Sequence, residues 1–556
     1  MLAERELAGL LYRADWTQLS LSAGLRTATG PGHGDAGWPG ARIPHPPWIS
    51  PFHSSEGPGG GPGRVTGRLL VAPGRRYRVE TTGEDGQKLL RGCDGDRPWY
   101  QMSQPEDGSR LQIFGGPQPP EPELLHPSWL LAGFDLGRAD AVVVGGREGY
   151  RLVATPRPSS SGIEQTAWRG TDRVEVVVDA GLGILLRCER LAGGQVQRVS
   201  ELYDVVPGPP EAADPIQFAA PAGSIVSESD ASLFGAPFGP GVKTAAGLGA
   251  GLLAGAIRRA GQRASSSGPG ETIPRGEGEE GWARRAADAP AASDDLVYRL
   301  HRAGRATPAF TAEYHQWLDP AVLAELTRPG PGGLLSLAEA IAETATVEHR
   351  ISRVRVFAHD RYRIDHLSGY RHGTPQAIAC DGQRRWREYA DHVTVGPAAT
   401  LPDDLACLID PRWLLTGQLS DGMQVTVSGR TAFRIRQTGR AGDPPAPGSL
   451  GASSRAIAVL DADLGILLTL ARYPAVPPLG RQDAAAGPLT RQELREITLA
   501  GKADVPDFDA DVPPGVRVVE DAGDLFGNAD APGVLGFASR TVSGAARWAN
   551  HLRGRQ

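Results

Sequence analysis

Asp179-Ala180-Gly181-Leu182-Gly183-Ile184-Leu185-Leu186 decides the fold, because Asp461-Ala462-Asp463-Leu464-Gly465-Ile466-Leu467-Leu468 occurs far downstream. In each stretch an aspartate and a glycine punctuate two apolar runs. Arg173 to Asp179 and Ile184 to Arg190 alternate polarity on either side of the first turn, and Ile457 to Leu460 and Ile466 to Leu470 flank the second. Alternation with period two, broken by a glycine able to take a positive φ, predicts a β-hairpin.

Outward from the hairpins, other blocks recur in the same order about 285 residues apart. Arg76-Tyr77-Arg78-Val79-Glu80 returns as Arg361-Tyr362-Arg363-Ile364-Asp365, and Cys93-Asp94-Gly95 with Trp99 returns as Cys380-Asp381-Gly382 with Trp386. His126-Pro127-Ser128-Trp129-Leu130-Leu131 returns as Asp410-Pro411-Arg412-Trp413-Leu414-Leu415, and Leu233-Phe234-Gly235 as Leu525-Phe526-Gly527. Ordered recurrence of this kind predicts a tandem duplication. The expected organisation is a first copy over 1–235, a small-residue helix over 236–260, a flexible linker over 261–293, a second copy over 294–528 and a C-terminal helix over 529–556. A Gly/Pro-rich insertion over 29–67 is expected to be mobile.

Short turns between the strands imply antiparallel pairing. The expected class is β-rich α+β: two tandem copies of a curved, open antiparallel sheet, a half-barrel, covered by a few helices. Helices are expected at Glu4 to Arg13, Pro320 to Leu326, Leu334 to Thr344, and around Trp129 and Trp413.

The bulk properties narrow the function. Lys and Arg number 58 against 64 Asp and Glu, so no global field attracts nucleic acid. Met1-Leu2-Ala3-Glu4-Arg5-Glu6 alternates charge where a secretory signal would be apolar, and the expected compartment is the cytoplasm. No apolar run reaches the ~20 residues that span a bilayer. Thr244 to Ile257, ending in Arg258-Arg259, suits an ordinary packed helix or one lying at a membrane surface or partner.

The four cysteines form no Cys-x-x-Cys, and the 12 histidines form no His-x-x-x-His pair. Gly239-Pro240-Gly241-Val242-Lys243-Thr244 is not a phosphate loop, and Gly249-x-Gly251-x-x-Ala254 lacks a surrounding βαβ unit. No catalytic residue, metal ligand or cofactor is therefore assigned, and the chain is read as not an enzyme. Trp99, Trp129, Trp386 and Trp413 occupy equivalent places and read either as core packing or as the lining of a ligand cavity.

Taken together, Pro73-Gly74 before Arg76 to Glu80, Asp94-Gly95…Trp99-Tyr100, Asp179 to Gly183, and Phe218-Ala219-Ala220-Pro221-Ala222-Gly223 resemble the LolA/LolB/RseB superfamily of lipoprotein carriers and envelope sensors. The second copy keeps Asp381-Gly382…Trp386, Asp461 to Gly465 and Pro513-Pro514-Gly515, with Ala358-His359-Asp360 in place of the Pro-Gly turn. The resemblance implies a sheet wrapped over helices with an apolar concave space able to take acyl chains. The expected function is a non-catalytic protein holding a hydrophobic or lipid-like ligand. The alternative is a regulatory protein that binds a protein partner through its terminal helices, with no small ligand.

Overall fold

The computed structural model describes residues 2–29, 64–84, 86, 88–95, 97–103, 110–113, 121–157, 171–208, 218, 225–228, 292–304, 309–318, 348–370, 374–420, 422–438, 455–473, 488, 490–500 and 517–520. The helices expected at 236–260, 320–326, 334–344 and 529–556 lie outside them, as do most of the insertion over 29–67 and of the linker over 261–293.

The first half begins with helix α1 (Glu4–Arg13) and strands β1 (Leu21–Thr29), β2 (Arg64–Ala72), β3 (Arg76–Gly83), β4 (Lys88–Asp94), β5 (Arg97–Ser103) and β6 (Arg110–Ile113). Short helices α2 (Pro122–Leu125) and α3 (Ser128–Gly133) follow, then β7 (Phe134–Leu136), β8 (Asp140–Val144), β9 (Arg147–Pro156), β10 (Arg173–Asp179), β11 (Leu185–Ala192), β12 (Gln195–Pro207) and β13 (Ile225–Glu228). The second half begins with α4 (Asp294–Arg302), β14 (Phe310–Leu318), β15 (Glu348–Ala358), β16 (Arg361–Ser368), β17 (Ala377–Asp381), β18 (Arg384–Glu388) and β19 (His392–Pro397). Helix α5 (Asp403–Ile409) runs into a 3-10 turn (Pro411–Thr416), before β20 (Gln418–Leu419), β21 (Met423–Val427), β22 (Arg430–Thr438), β23 (Arg455–Asp461), β24 (Leu467–Tyr473), β25 (Thr490–Leu499) and β26 (Arg517–Glu520).

Two large open sheets result. The first runs β13-β6-β5-β4-β3-β2-β1-β12-β11-β10-β9-β7, with β8 on β9. The second, read from its other end, runs β26-β19-β18-β17-β16-β15-β14-β25-β24-β23-β22-β20, with β21 on β22. Strand for strand the orders correspond. Each sheet departs from the expected antiparallel pattern at one edge, where β13 lies parallel to β6 and β26 parallel to β19. Those edge strands arrive through long connections, so no short turn forces an antiparallel hairpin.

The alternation sorts side chains as expected. Leu21, Ala23 and Leu25 of β1, Leu69 and Val71 of β2, and Tyr77 and Val79 of β3 are buried on one face, and Phe310, Ala312, Val354, Val356, Tyr362 and Ile364 do the same in the second sheet. The deciding hairpins share one device. Asp179 accepts from the amides of Gly181 (2.9 Å) and Leu182 (2.8 Å) and pairs with Arg147, while Asp461 accepts from Asp463 (2.9 Å) and Leu464 (2.8 Å) and pairs with Arg430. Gly183 and Gly465 take φ of 73° and 67°. Burial alone would raise both carboxyls, but the arginine and the amides hold each below the ordinary aspartate value.

One core runs through both halves. Leu7 and Leu11 of α1, Leu130 and Leu131 of α3, Leu296 and Leu300 of α4, and Leu414 and Leu415 of the 3-10 turn belong to a single buried cluster. Helix α1 packs on α4, and α3 packs on the 3-10 turn. Gly9 faces this approach, and a Cβ there would meet the Asp294 carboxyl. The bonds across this seam are exchanged, as at a two-fold interface. The Tyr12 hydroxyl donates to the Gly417 carbonyl (3.2 Å) and accepts from the Leu419 amide (2.7 Å). In return, the His301 Nδ1 bonds the Leu131 carbonyl (3.0 Å), and Arg157 donates to the His301 carbonyl (2.8 Å). Arg13–Asp294 and Arg302–Glu4 pairs flank the seam.

Helix α4 is a structural element absent from the expected set. Its signal is Ser293 as N-cap, whose side chain accepts from the Leu296 amide, then Asp294 and Asp295 in the first turn and Arg299, His301 and Arg302 in the last.

Tyr12→Phe removes one hydroxyl and leaves a buried carbonyl and amide unpaired. The expected loss is about 1–3 kcal/mol, read as a lower urea midpoint with an unchanged slope. An unchanged midpoint would show that these bonds add nothing to the joint.

Candidate functional site

On each concave face the apolar stripe gives way to polar groups a short distance from the helices. In the second half the change is spread over adjacent levels on three strands: Ala312, Val354 and Ile364 lie level, the next level sets Tyr314 beside Ser352 and His366, and the level beyond pairs Gln316 with Arg350. Residues two apart share a face, so these side chains continue the inward row. Ser352 Oγ lies 3.1 Å from His366 Nδ1 and 2.6 Å from the Tyr370 hydroxyl. The His366 and Tyr370 rings are 3.9 Å apart, and the Arg350 guanidinium is 5.7 Å from the Tyr370 ring centre. Gln316 donates to Asp404 of α5 (2.9 Å), and Gln492 of β25 donates to the Tyr314 hydroxyl (3.2 Å).

Burial, reinforced by Arg350, lowers His366 to about 4, and burial raises the Tyr370 and Tyr314 hydroxyls. A serine and histidine in contact invite a nucleophile–base reading. Here the serine is fully buried, and an imidazole of such low proton affinity is a poor base near neutrality. What the cluster offers is a fixed array of donors and acceptors beside apolar surface.

In the first half the inward row carries charge. Arg91 of β4 pairs with Glu121, while Arg190 of β11 (2.7 Å) and Arg198 of β12 (3.6 Å) meet Glu123 of α2. Arg198 also donates to Ser200 (3.3 Å). Burial raises Glu121 by more than Arg91 lowers it. Glu123 is equally buried, but Arg198 and Arg190 together overcome burial and leave it at about 2. Burial raises the thiol of Cys188, beside Glu123.

The four tryptophans are not brought together. Trp129 is half-buried, packs edge-on against Phe134 (5.4 Å) and donates its indole N–H to the Glu123 carbonyl (3.2 Å). Trp413 is buried, donates to the Cys407 carbonyl (3.0 Å) and lies beneath the Arg472 guanidinium (5.2 Å). Trp386 sits on the other face of its sheet, clustered with Ala379, Val393 and Val395. Trp99 lies in β5, and its side chain is outside the described residues. The polar rows escaped sequence reading, although polar residues at inward parity, two positions from buried ones, were their signal.

Among the described residues no helix is long and apolar enough to cross a membrane, and no three His, Cys, Asp or Glu side chains are grouped to hold a metal ion.

No family model matches the sequence, and no curated protein matches it. Solved structures do. A complex of MucA and MucB from Pseudomonas aeruginosa matches at 18% identity over 39% of this chain and 61% of that one, with a TM-score of 0.24. The lipoprotein LppX of Mycobacterium tuberculosis matches at 13% over 36% of this chain and 94% of its own, with a TM-score of 0.22. A LolA superfamily protein from Nitrosomonas europaea matches at 11% over 40% and 99%, with a TM-score of 0.18. The chain spans about three fifths of the length of the MucB chain. At such TM-scores the architecture rests on the sheets described above.

His366 gives a pH test. Its folded value lies below the ordinary histidine value of 6.5, at about 4, so its contribution is present above pH 6.5 and is lost as pH falls towards 4. Allowing for partial exposure, the loss is roughly 1–3 kcal/mol. His366→Gln is expected to flatten the urea midpoint over that window. An NMR titration placing the wild-type imidazole near its ordinary value would refute this account.

Proposed function

We propose that the chain is a tandem duplication of one half-barrel domain and acts as a non-catalytic binding protein for a hydrophobic or lipid-like ligand. The observation that carries the reading is the passage of the concave rows from apolar to polar over adjacent levels of paired strands, which suits a molecule with an apolar body and a polar head. Ala312, Val354 and Ile364 supply the apolar side in the second half, and Ser352, His366, Tyr370 and Arg350 the polar side. An acyl chain leaving water gains about 0.8 kcal/mol per methylene, so a modest apolar surface suffices and the polar groups orient the head. Of the tryptophans, Trp129 is assigned to this role, being half-buried and bonded to the residue that gathers Arg190 and Arg198.

Native mass spectrometry of gently purified protein is expected to show an added mass that denaturation releases. The delipidated protein should then take up N-phenylnaphthylamine saturably, and Trp129→Phe should weaken uptake by roughly tenfold, about 1.4 kcal/mol. A clean apo mass with no uptake would favour the protein-partner alternative.

A further inference from the structure

The two concave faces share a strand order but differ in charge. Two residues before Cys93 and Cys380, β4 carries Arg91 where β17 carries Ile378; two residues after Cys188 and Leu470 stand Arg190 and Arg472. Register places Arg198 of β12 where β25 has Thr490, and six residues before Trp129 and Trp413 stand Glu123 and Cys407. In the second half the one arginine kept, Arg472, is laid over the Trp413 ring at 5.2 Å. In the first, three guanidiniums from three strands converge on Glu121 and Glu123.

Burying such ions costs several kcal/mol each before pairing offsets it. The fold does not require them, because the second sheet reaches the same strand order with neutral residues at Ile378, Thr490 and Cys407. Register sets Arg91 beside Val79, with Leu89 and Tyr77 on the same inward row, so the largely buried guanidinium–carboxylate pairs adjoin apolar side chains.

We infer that the concave face of the first half recognises the acid group of an amphipathic ligand, a carboxylate or a phosphate head, through Arg91 in exchange for Glu121. The inference rests on the binding reading above. Glu123 stays with Arg190 and Arg198, which hold it as the anion. Glu121 has Arg91 as its close partner, and its burial favours the protonated form, so it takes up a proton as the ligand's oxyanion replaces it. The planar guanidinium of Arg91 can then meet two oxygens of the head in parallel.

The experiment titrates delipidated full-length protein with oleate, oleoyl lysophosphatidic acid and oleyl alcohol, which share an eighteen-carbon chain (about the length of a common membrane acyl group). At least one acid should bind about tenfold more tightly than the alcohol, and the tighter acid identifies the head. Arg91→Gln should bring the acid-to-alcohol ratio close to one, and Glu121→Gln should raise it, with urea midpoints showing both variants folded. Equal binding of acids and alcohol to the wild type, or a ratio unmoved by Arg91→Gln, overturns the inference while the binding reading stands. No uptake of any of the three overturns both.

Discussion

A sheet that is apolar on one face cannot leave that face in water, and among the described residues the helices of each half are short. Helix α1 has 10 residues and α4 has 9, with α2 and α3 shorter still. Hydrophobic burial is non-directional and scales with area, so the efficient solution is to place both halves' helices in one layer. Leu11 and Leu300 are then covered from both sides, and both are fully buried. The single core is the consequence of two open sheets sharing a cover.

Polar chemistry at the seam follows from that arrangement. A helix end buried against another helix leaves carbonyls without water, and each needs a donor. Tyr12 serves the end of the 3-10 turn and His301 serves the end of α3, each reaching across from the opposite half. The two residues occupy corresponding places on α1 and α4 yet differ in chemistry. A hydroxyl both donates and accepts, so Tyr12 also takes the Leu419 amide, whereas the imidazole presents its second nitrogen to Glu4 at 3.6 Å.

Much of this was legible in the residues. The Asp179 and Asp461 hairpins are local: an aspartate, two amides and a glycine within five positions specify the turn, and alternation specifies the strands it joins. The tryptophans at 129 and 413 marked the helical segments correctly, because an indole donating to the carbonyl six residues earlier is again a local arrangement. Helix α4 lies outside the expected set because it is short and directly follows a Gly-, Ser- and Arg-rich stretch, its local mark being the Ser293 N-cap. The parallel edge strands were illegible because pairing across a long connection leaves no mark near either strand. The polar rows depended on register. Ser352 and His366 are 14 residues apart and meet only because β15 and β16 pair Val354 with Ile364.

Register also explains how one architecture supports two chemistries. A residue changed at an inward position alters the concave face and leaves strand pairing untouched, because backbone groups make the ladder. The shared core constrains the positions that belong to it, such as Leu69 and Val354. Further along the inward row the two halves differ, the first carrying Arg91 and Arg198 where the second carries Ile378 and Thr490. The charged row is not isolated from the joint. Glu123 holds Arg190 through its carboxylate and Trp129 through its carbonyl, Trp129 lies on α3, and α3 offers the Leu131 carbonyl to His301. Side-chain bonds and the α3 backbone therefore connect the first concave face to the helix of the second half, so a covering layer shared for reasons of area also links that face to the other half.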